Sequence, residues 1–199
     1  LNEVSGLTVE WNKKNNLSGD SEFFVYGVQN GGFPSGRSND LKCEGYVGGA
    51  IGLTIDVQCS SVTVAGNSET KSVVYFESAN NPDTASVGGL IGAIWRWRTQ
   101  TKTLLGGGSV SDMHVAGKAY SNVQTNDMKY DIYVGGAAGV LANPSTSGKN
   151  GSAYIKNVSV NNCIIESIGE DKMATYAAGI VAGIWWASTG YLQNSTVAN

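Results

Sequence analysis

A short run of glycine and aliphatic residues occurs four times in this 199-residue chain and constrains its fold more than any other feature. Both alternating sets of side chains in these runs are apolar or small, and a strand that is apolar on both faces is covered on both faces. Glycine inside a strand permits close approach of another backbone. We therefore expect buried strands, with one face on the core and the other beneath a loop or a neighbouring segment. The copies read YVGGAIG from Tyr46, SVGGLIG from Ser86, YVGGAAG from Tyr133 and YAAGIVAG from Tyr176.

A second motif alternates with the glycine runs and predicts a half-buried strand. Its fourth and sixth positions are mostly apolar, its third and fifth are mostly polar, and successive side chains of a strand point to opposite faces. The copies read VSGLTVEW from Val4, CSSVTVAG from Cys59, VSDMHVAG from Val110, IKNVSVNN from Ile155 and LQNSTVAN from Leu192. This alignment predicts an outward row made of Thr8, Thr63, His114, Ser159 and Thr196.

The regular recurrence of both motifs predicts a stacked repeat architecture. The glycine runs are headed by Val47, Val87, Val134 and Ala177, roughly 40 to 50 residues apart, with connectors of variable length. We predict an all-β fold, a right-handed parallel β-helix (β-solenoid) of about four to five long, loop-bearing coils. Residues 1–199 form one domain with repeats near 4–58, 59–109, 110–154 and 155–191, and a partial repeat at 192–199. A further strand is expected before each glycine run, at Phe23–Val28, Ser72–Glu77, Lys129–Tyr133 and Met173–Tyr176.

Neither end of the chain shows the polar cap that keeps a repeat protein soluble. The chain opens on a polar strand near Val4 and stops on another near Val197. We expect a fragment of a longer repeat protein, which contacts further repeats of the same chain or pairs end to end with other copies.

Composition favours an extracellular or cell-surface protein. Charged residues are 15% of the chain, glycine is abundant with 27 residues, and the net charge is −3 without any basic run. No nucleic-acid partner is expected, and the longest apolar stretch, 177–187, is too short to span a membrane. The three cysteines are too few for a disulfide framework, so Cys43 and Cys59 are either bridged or, like Cys163, free thiols.

The core Gly89-Leu90-Ile91-Gly92, with an Ile/Val-x-Asn-x-x-Val strand downstream, resembles the GLUG-type repeat of secreted and cell-surface bacterial proteins, among them large adhesins. The resemblance covers about Cys43 to Asn199, although the repeats here are longer and the motif drifts to Ala-Ala at Ala177 and Ala178. It implies a β-solenoid adhesin or passenger segment outside the cell and carries no catalytic residue.

Residues able to support catalysis are sparse, and no catalytic residue, metal site or cofactor is predicted. Asp112 and the single histidine, His114, have the spacing of half a catalytic triad, but the nearby serines lack a nucleophile-elbow sequence. One histidine and dispersed cysteines do not give a zinc site. The remaining close carboxylates, Asp127 with Asp131 and Glu170 with Asp171, fall in expected loops.

An aromatic cluster is the strongest candidate for ligand binding. Tryptophan faces stack on sugar rings, and arginine holds carboxylates or hydroxyls. The alternative is that these tryptophans pack a connector against the core, with Leu141 near the same place in the intervening coil. The candidate residues are Trp95, Arg96, Trp97, Arg98, Trp185 and Trp186.

Two further surface features have alternative interpretations. In a eukaryotic secreted protein, four N-x-Ser/Thr sequons would carry glycans, at Asn16, Asn150, Asn157 and Asn194. The outward row could order water at an ice surface, but His114 interrupts its hydroxyls. We therefore predict a non-catalytic adhesin, stalk or filament segment that contacts carbohydrate or a host or matrix surface. A carbohydrate-binding or carbohydrate-active β-helix, such as a polysaccharide lyase or hydrolase, is the alternative.

Overall fold

The regular secondary structure of the described residues consists of β-strands. A computed structural model describes residues 2–10, 24–28, 44–69, 71–78, 84–95, 103–119, 131–142, 153–169, 174–185 and 190–199. Within these ranges, 80% of residues lie in strands and no helix is present. The all-β prediction is confirmed for this part of the chain.

The strands form four sheets, named A to D here, and every pairing is parallel. Sheet A contains β1 (Asn2–Ser5), β2 (Thr8–Glu10), β6 (Val57–Ala65), β10 (Thr103–Ser111), β14 (Ala153–Asn161), β18 (Gly190–Gln193) and β19 (Thr196–Ala198). Sheet B contains β3 (Phe24–Val28), β7 (Ser72–Ser78), β11 (Met113–Ala119) and β15 (Ile164–Gly169). Sheet C contains β4 (Glu44–Gly48), β8 (Thr84–Gly88), β12 (Asp131–Gly135) and β16 (Ala174–Ala178). Sheet D contains β5 (Ile51–Ile55), β9 (Ile91–Trp95), β13 (Ala138–Ala142) and β17 (Val181–Trp185).

The chain passes through sheets A, B, C and D in that order four times and then returns to sheet A. One such passage is called a circuit below. Each strand pairs with its equivalents in the preceding and following circuits, which places Val47, Val87, Val134 and Ala177 in one row. The equivalence predicted for the four glycine runs is therefore confirmed.

The main core is built from inward side chains of all four sheets. In β6, Val62 and Val64 are fully buried, whereas Thr63 between them is partly exposed. This alternation is the one predicted from the second motif. It arises because each strand has one face on the core and one face outside.

Each glycine run is a corner between two strands and not one strand. In the second circuit, β8 ends at Gly88, the chain bends at Gly89 and Leu90, and β9 begins at Ile91. A Cβ on Gly49, Gly89 or Gly136 would overlap the carbonyl oxygen of the equivalent glycine in the next circuit. Glycine is needed here because consecutive circuits stack backbone against backbone at this corner.

The third copy of the polar motif was aligned wrongly from the sequence. Cys59 pairs with Leu105 and not with Val110, and Thr63 pairs with Ser109 and not with His114. The run from Val110 spans the end of β10, a bend at Asp112 and the start of β11. The motif looked continuous because β11 begins with the same apolar–polar alternation.

The additional strands were predicted correctly in the first two circuits only. Phe24–Val28 and Ser72–Ser78 lie in sheet B, as strands that precede the glycine runs. Their later equivalents are Met113–Ala119 and Ile164–Gly169, whereas Asp131 to Tyr133 and Ala174 to Tyr176 belong to the sheet C strands that lead into the glycine corners. Tyr133 and Tyr176 misled the assignment because aromatic residues favour strands in either sheet.

A left-handed residue recurs at one place in sheet A, two positions before the outward hydroxyl. Gly107 has φ +78° in the third circuit, and Ser61 has φ 55° in the second. Such a residue interrupts the regular alternation of a strand, as in a β-bulge. The five left-handed residues of this series are Gly6, Ser61, Gly107, Asn157 and Asn194.

Candidate functional site

Trp95 and Trp185 lie in one row of sheet D, two circuits apart. Ala142 stands between them, and Ile55 occupies the same row in the first circuit. Leu141, which the sequence placed near this position, belongs to the neighbouring row and is buried. The side chains of Trp185 and of Arg96, Trp97, Arg98 and Trp186 lie outside the described residues.

The indole of Trp95 is packed inside the protein. It is 4% exposed, and its ring meets that of Tyr46 edge to face, with centroids 5.9 Å apart and planes at 77°. It belongs to a second apolar cluster, separate from the main core, in which side chains of sheets C and D meet. The cluster contains Ala93, Trp95, Tyr133, Val140 and Ala142, with Tyr46 and Ala182 beside it. The second face of the glycine run is thus covered by a neighbouring sheet.

A row of tyrosines on sheet C ends in an exposed ring. Tyr46, Ser86, Tyr133 and Tyr176 pair in sequence, and the rings of Tyr133 and Tyr176 stack with centroids 4.7 Å apart and planes 7° from parallel. Tyr133 is 9% exposed, whereas Tyr176 is 43% exposed. Sequence analysis did not single out this row, although tyrosine begins three of the four glycine runs.

Asp112 and His114 do not form a pair. Asp112 Oδ1 accepts a hydrogen bond of 2.6 Å from Asn162 Nδ2 at the bend between sheets A and B. His114 lies on the outer face of sheet B, where its Nε2 is 3.0 Å from Glu166 Oε2 in the next circuit. Both partners of the second pair are partly exposed, so this contact joins two circuits at the surface.

The bend between sheets A and B is held by a polar cluster across three circuits. Lys71 Nζ donates hydrogen bonds to the Asn162 carbonyl oxygen at 2.5 Å and to Asn162 Oδ1 at 2.8 Å. Lys71, Asp112 and Asn162 are all left-handed, with φ of 54°, 58° and 50°. The three side chains link successive bends, which is a structural role.

The outward hydroxyl row of sheet A is continuous. Ser109 fills the place that the sequence assigned to His114, so each of the five rungs carries a serine or threonine. Ser109 Oγ donates to Thr63 Oγ1 at 3.4 Å, and three positions earlier in β6 Ser60 Oγ donates to Ser5 Oγ at 3.0 Å. The row is Thr8, Thr63, Ser109, Ser159 and Thr196.

Two of the four sequons lie among the described residues. Asn157 and Asn194 are exposed and left-handed, with φ of 56° and 48°, at equivalent places of sheet A. Asparagine adopts this conformation more readily than most residues, which accounts for both positions without a glycan. Asn16 and Asn150 lie outside the described residues.

The described residues contain no cluster of three or more His, Cys, Asp or Glu placed to hold a metal ion. Asp131 lies in β12 and pairs with Thr84 and Ala174. The other carboxylates considered, Asp127, Glu170 and Asp171, lie outside the described residues. Cys59 and Cys163 are free thiols. Cys43 lies outside the described residues. Burial raises the pKa of the Cys59 thiol; desolvation is likewise the main cause of the raised pKa of Cys163.

No family model, curated protein or solved structure matches this chain. Within the described ranges, no helix has the length and apolarity required to cross a bilayer.

Proposed function

We propose that this chain is a right-handed parallel β-helix segment of the GLUG type, and that it serves as a non-catalytic structural or adhesive element at a cell surface. The observation that carries the proposal is the fourfold passage through the same four parallel sheets. A chain that returns to each sheet one strand further along builds a stiff unit by stacking, because each strand pairs with its equivalents in the neighbouring repeats. The right hand follows the strong preference of parallel crossover connections.

The side chains at the circuit boundaries support a structural role. Asp112 and His114, which have the spacing of half a catalytic triad, are engaged between circuits, with Asp112 on Asn162 and His114 on Glu166. An outward face of small hydroxyls on sheet A and few charges overall suit contact with a carbohydrate or matrix surface.

A polysaccharide panel tests this proposal when bound protein and released sugar are recorded together. We expect no turnover with any polymer, and retention on the panel or on matrix-coated beads if the segment is adhesive. Release of sugar that scales with protein concentration would overturn the non-catalytic assignment. If neither bound protein nor released sugar is detected, the adhesive role is rejected and only the structural role remains.

The carbohydrate-binding alternative is supported by the shared row of Trp95 and Trp185. Because Trp95 is buried against Tyr46, the variants that test binding are Trp97→Ala and Trp186→Ala. Trp95→Phe is the matched control, since it preserves an aromatic ring in the second apolar cluster. Binding that disappears in both alanine variants but survives in the control would favour a lectin-like role.

A further inference from the structure

The exposed apolar surface of the described residues is confined to the two ends of the stack. Each large exposed hydrophobic side chain belongs to the first circuit, to the fourth circuit or to the final strands of sheet A. They are Leu53 and Ile55 in the first circuit, and Ile164, Ile168, Tyr176, Ile184, Leu192 and Val197 at the other end. The end that carries β15–β19 is called the open end below.

Val197 and Ile184 at the open end are exposed, although their pairing partners in the preceding circuit are buried. Val197 is 55% exposed, whereas Val160, its pairing partner in the preceding circuit, is 1% exposed. Ile184 is 52% exposed against 1% for its partner Leu141. Both pairs are aliphatic, so the difference comes from a neighbour that the described residues do not supply on one side.

The backbone at the open end is available for pairing. β15, β16 and β17 stand at the edges of sheets B, C and D, with a partner strand on one side within the described residues. Parallel edges of this kind accept another strand through their N–H and C=O groups.

One glycine has the geometry for a neighbour that the described residues do not supply. A Cβ on Gly49, Gly89 or Gly136 would overlap a carbonyl oxygen of the next circuit, but the nearest atoms to a Cβ on Gly179 are side-chain atoms of Val197. Gly179 thus continues the series of close backbone approaches, at a place where the carbonyl would have to come from another circuit.

The number of strands in each sheet indicates which kind of segment can pair with the open end. Sheet A has five rungs, whereas sheets B, C and D have four each. A second copy stacked on the open end would bring its β1 and β2 to the position that β18 and β19 already fill. An occupant that first supplies strands to sheets B, C and D meets no such conflict.

We infer that the open end is a docking surface for a further circuit of this same repeat pattern, which adds parallel strands to β15, β16 and β17 in that order. The inference rests on the proposed β-helix. The three boundaries between existing circuits define what the incoming segment must carry: alternating apolar residues for the core and a backbone carbonyl that stacks on Gly179.

The test is a version of the full chain to which a copy of residues 113–161 is joined after Asn199. Ala198 is in register with Asn161 and Ser111, so the appended copy begins where β11 begins in the third circuit. Amide hydrogen exchange is measured for β15–β17 in the original and extended chains. We expect exchange of these edge amides to slow by about tenfold or more in the extended chain.

The matched control is the extended chain with Val115→Asp, Ile132→Asp and Val134→Asp in the appended copy. Because these three positions face the core, a charged appended copy cannot pack on the open end. A Gly179→Ala substitution should likewise cancel the added protection in the extended chain, while the original chain tolerates it. Edge amides that exchange equally fast with the intact and the charged extension would overturn the inference.

Two other outcomes are distinguishable. Fast exchange in β11–β13 of the original chain would reject the stacked repeat itself and therefore the proposed function. Concentration-dependent protection of β15–β17 in the original chain, accompanied by dimers in light scattering, would place a second copy on the open end and contradict the chosen occupant.

Discussion

Ser109 donates a hydrogen bond to Thr63 across the boundary between the second and third circuits, with 3.4 Å between Oγ and Oγ1. The two residues pair directly in sheet A. This relationship removes His114 from the hydroxyl row and places it on sheet B, beside Glu166. His114, which has the spacing of half a catalytic triad with Asp112, is one half of a surface contact between circuits.

Gly89→Ala should destabilise the protein by about 3 kcal/mol, because the added Cβ overlaps the Gly136 carbonyl oxygen and presses on Val110. Gly179→Ala is the matched control, since only the side chain of Val197 at the open end must move. Chemical denaturation of both variants measures the difference. Equal free energies of unfolding would contradict the close backbone contact at this corner.

Gly107→Ala should lower the free energy of unfolding by about 1 kcal/mol through backbone strain alone. The residue is left-handed, and the nearest atom to an added Cβ is 3.7 Å away, so no steric overlap contributes. Gly107→Asn should cost less, because asparagine holds the same conformation at positions 157 and 194. The reverse order of stability in thermal unfolding would refute the left-handed series in sheet A.

The contact between His114 and Glu166 should contribute no more than about 1 kcal/mol, because both side chains are partly exposed. A double-mutant cycle with His114→Gln and Glu166→Gln measures the coupling energy. A coupling energy well above about 1 kcal/mol would contradict a contact between two partly exposed side chains.

The Cys59 thiol should resist alkylation in the folded protein. Its side chain is fully buried, and burial raises its pKa, so the reactive thiolate is scarcer than in the unfolded chain at neutral pH. Mass spectrometry after iodoacetamide treatment should find Cys59 modified only with denaturant, and Cys163, which is half-buried, modified earlier. Rapid native labelling of Cys59 would place this part of β6 outside the core.

Replacement of Cys59 by serine provides a second test of the same position. A hydroxyl at this place in the main core, in register with Leu105, should reduce the free energy of unfolding by about 1–3 kcal/mol. Cys59→Ala serves as the control for lost volume, and it should be the milder of the two. If serine were the better tolerated, water would have to reach this site.

The sequence by itself determined the class of the fold and the places where circuits meet. Alternation in CSSVTVAG identifies Val62 and Val64 as core residues, because burial of one strand face requires apolar side chains at every second position. The glycine runs mark one row in four circuits, because a side chain there would collide with the next backbone. These constraints are local, so they can be read from the order of residues.

Only the tertiary structure decided which residues share a row and which side chains meet. The sequence motif aligned Thr63 with His114, but Thr63 pairs with Ser109, five positions earlier. The register between β6 and β10 depends on pairing across a whole circuit, which the motif does not specify. The bends are occupied by Lys71, Asp112 and Asn162, which share a left-handed conformation but no residue type. The sequence does not show whether the side chain of Trp95 faces solvent or packs against Tyr46. Its burial follows from the contact between side chains of sheets C and D, which come from separate parts of the chain.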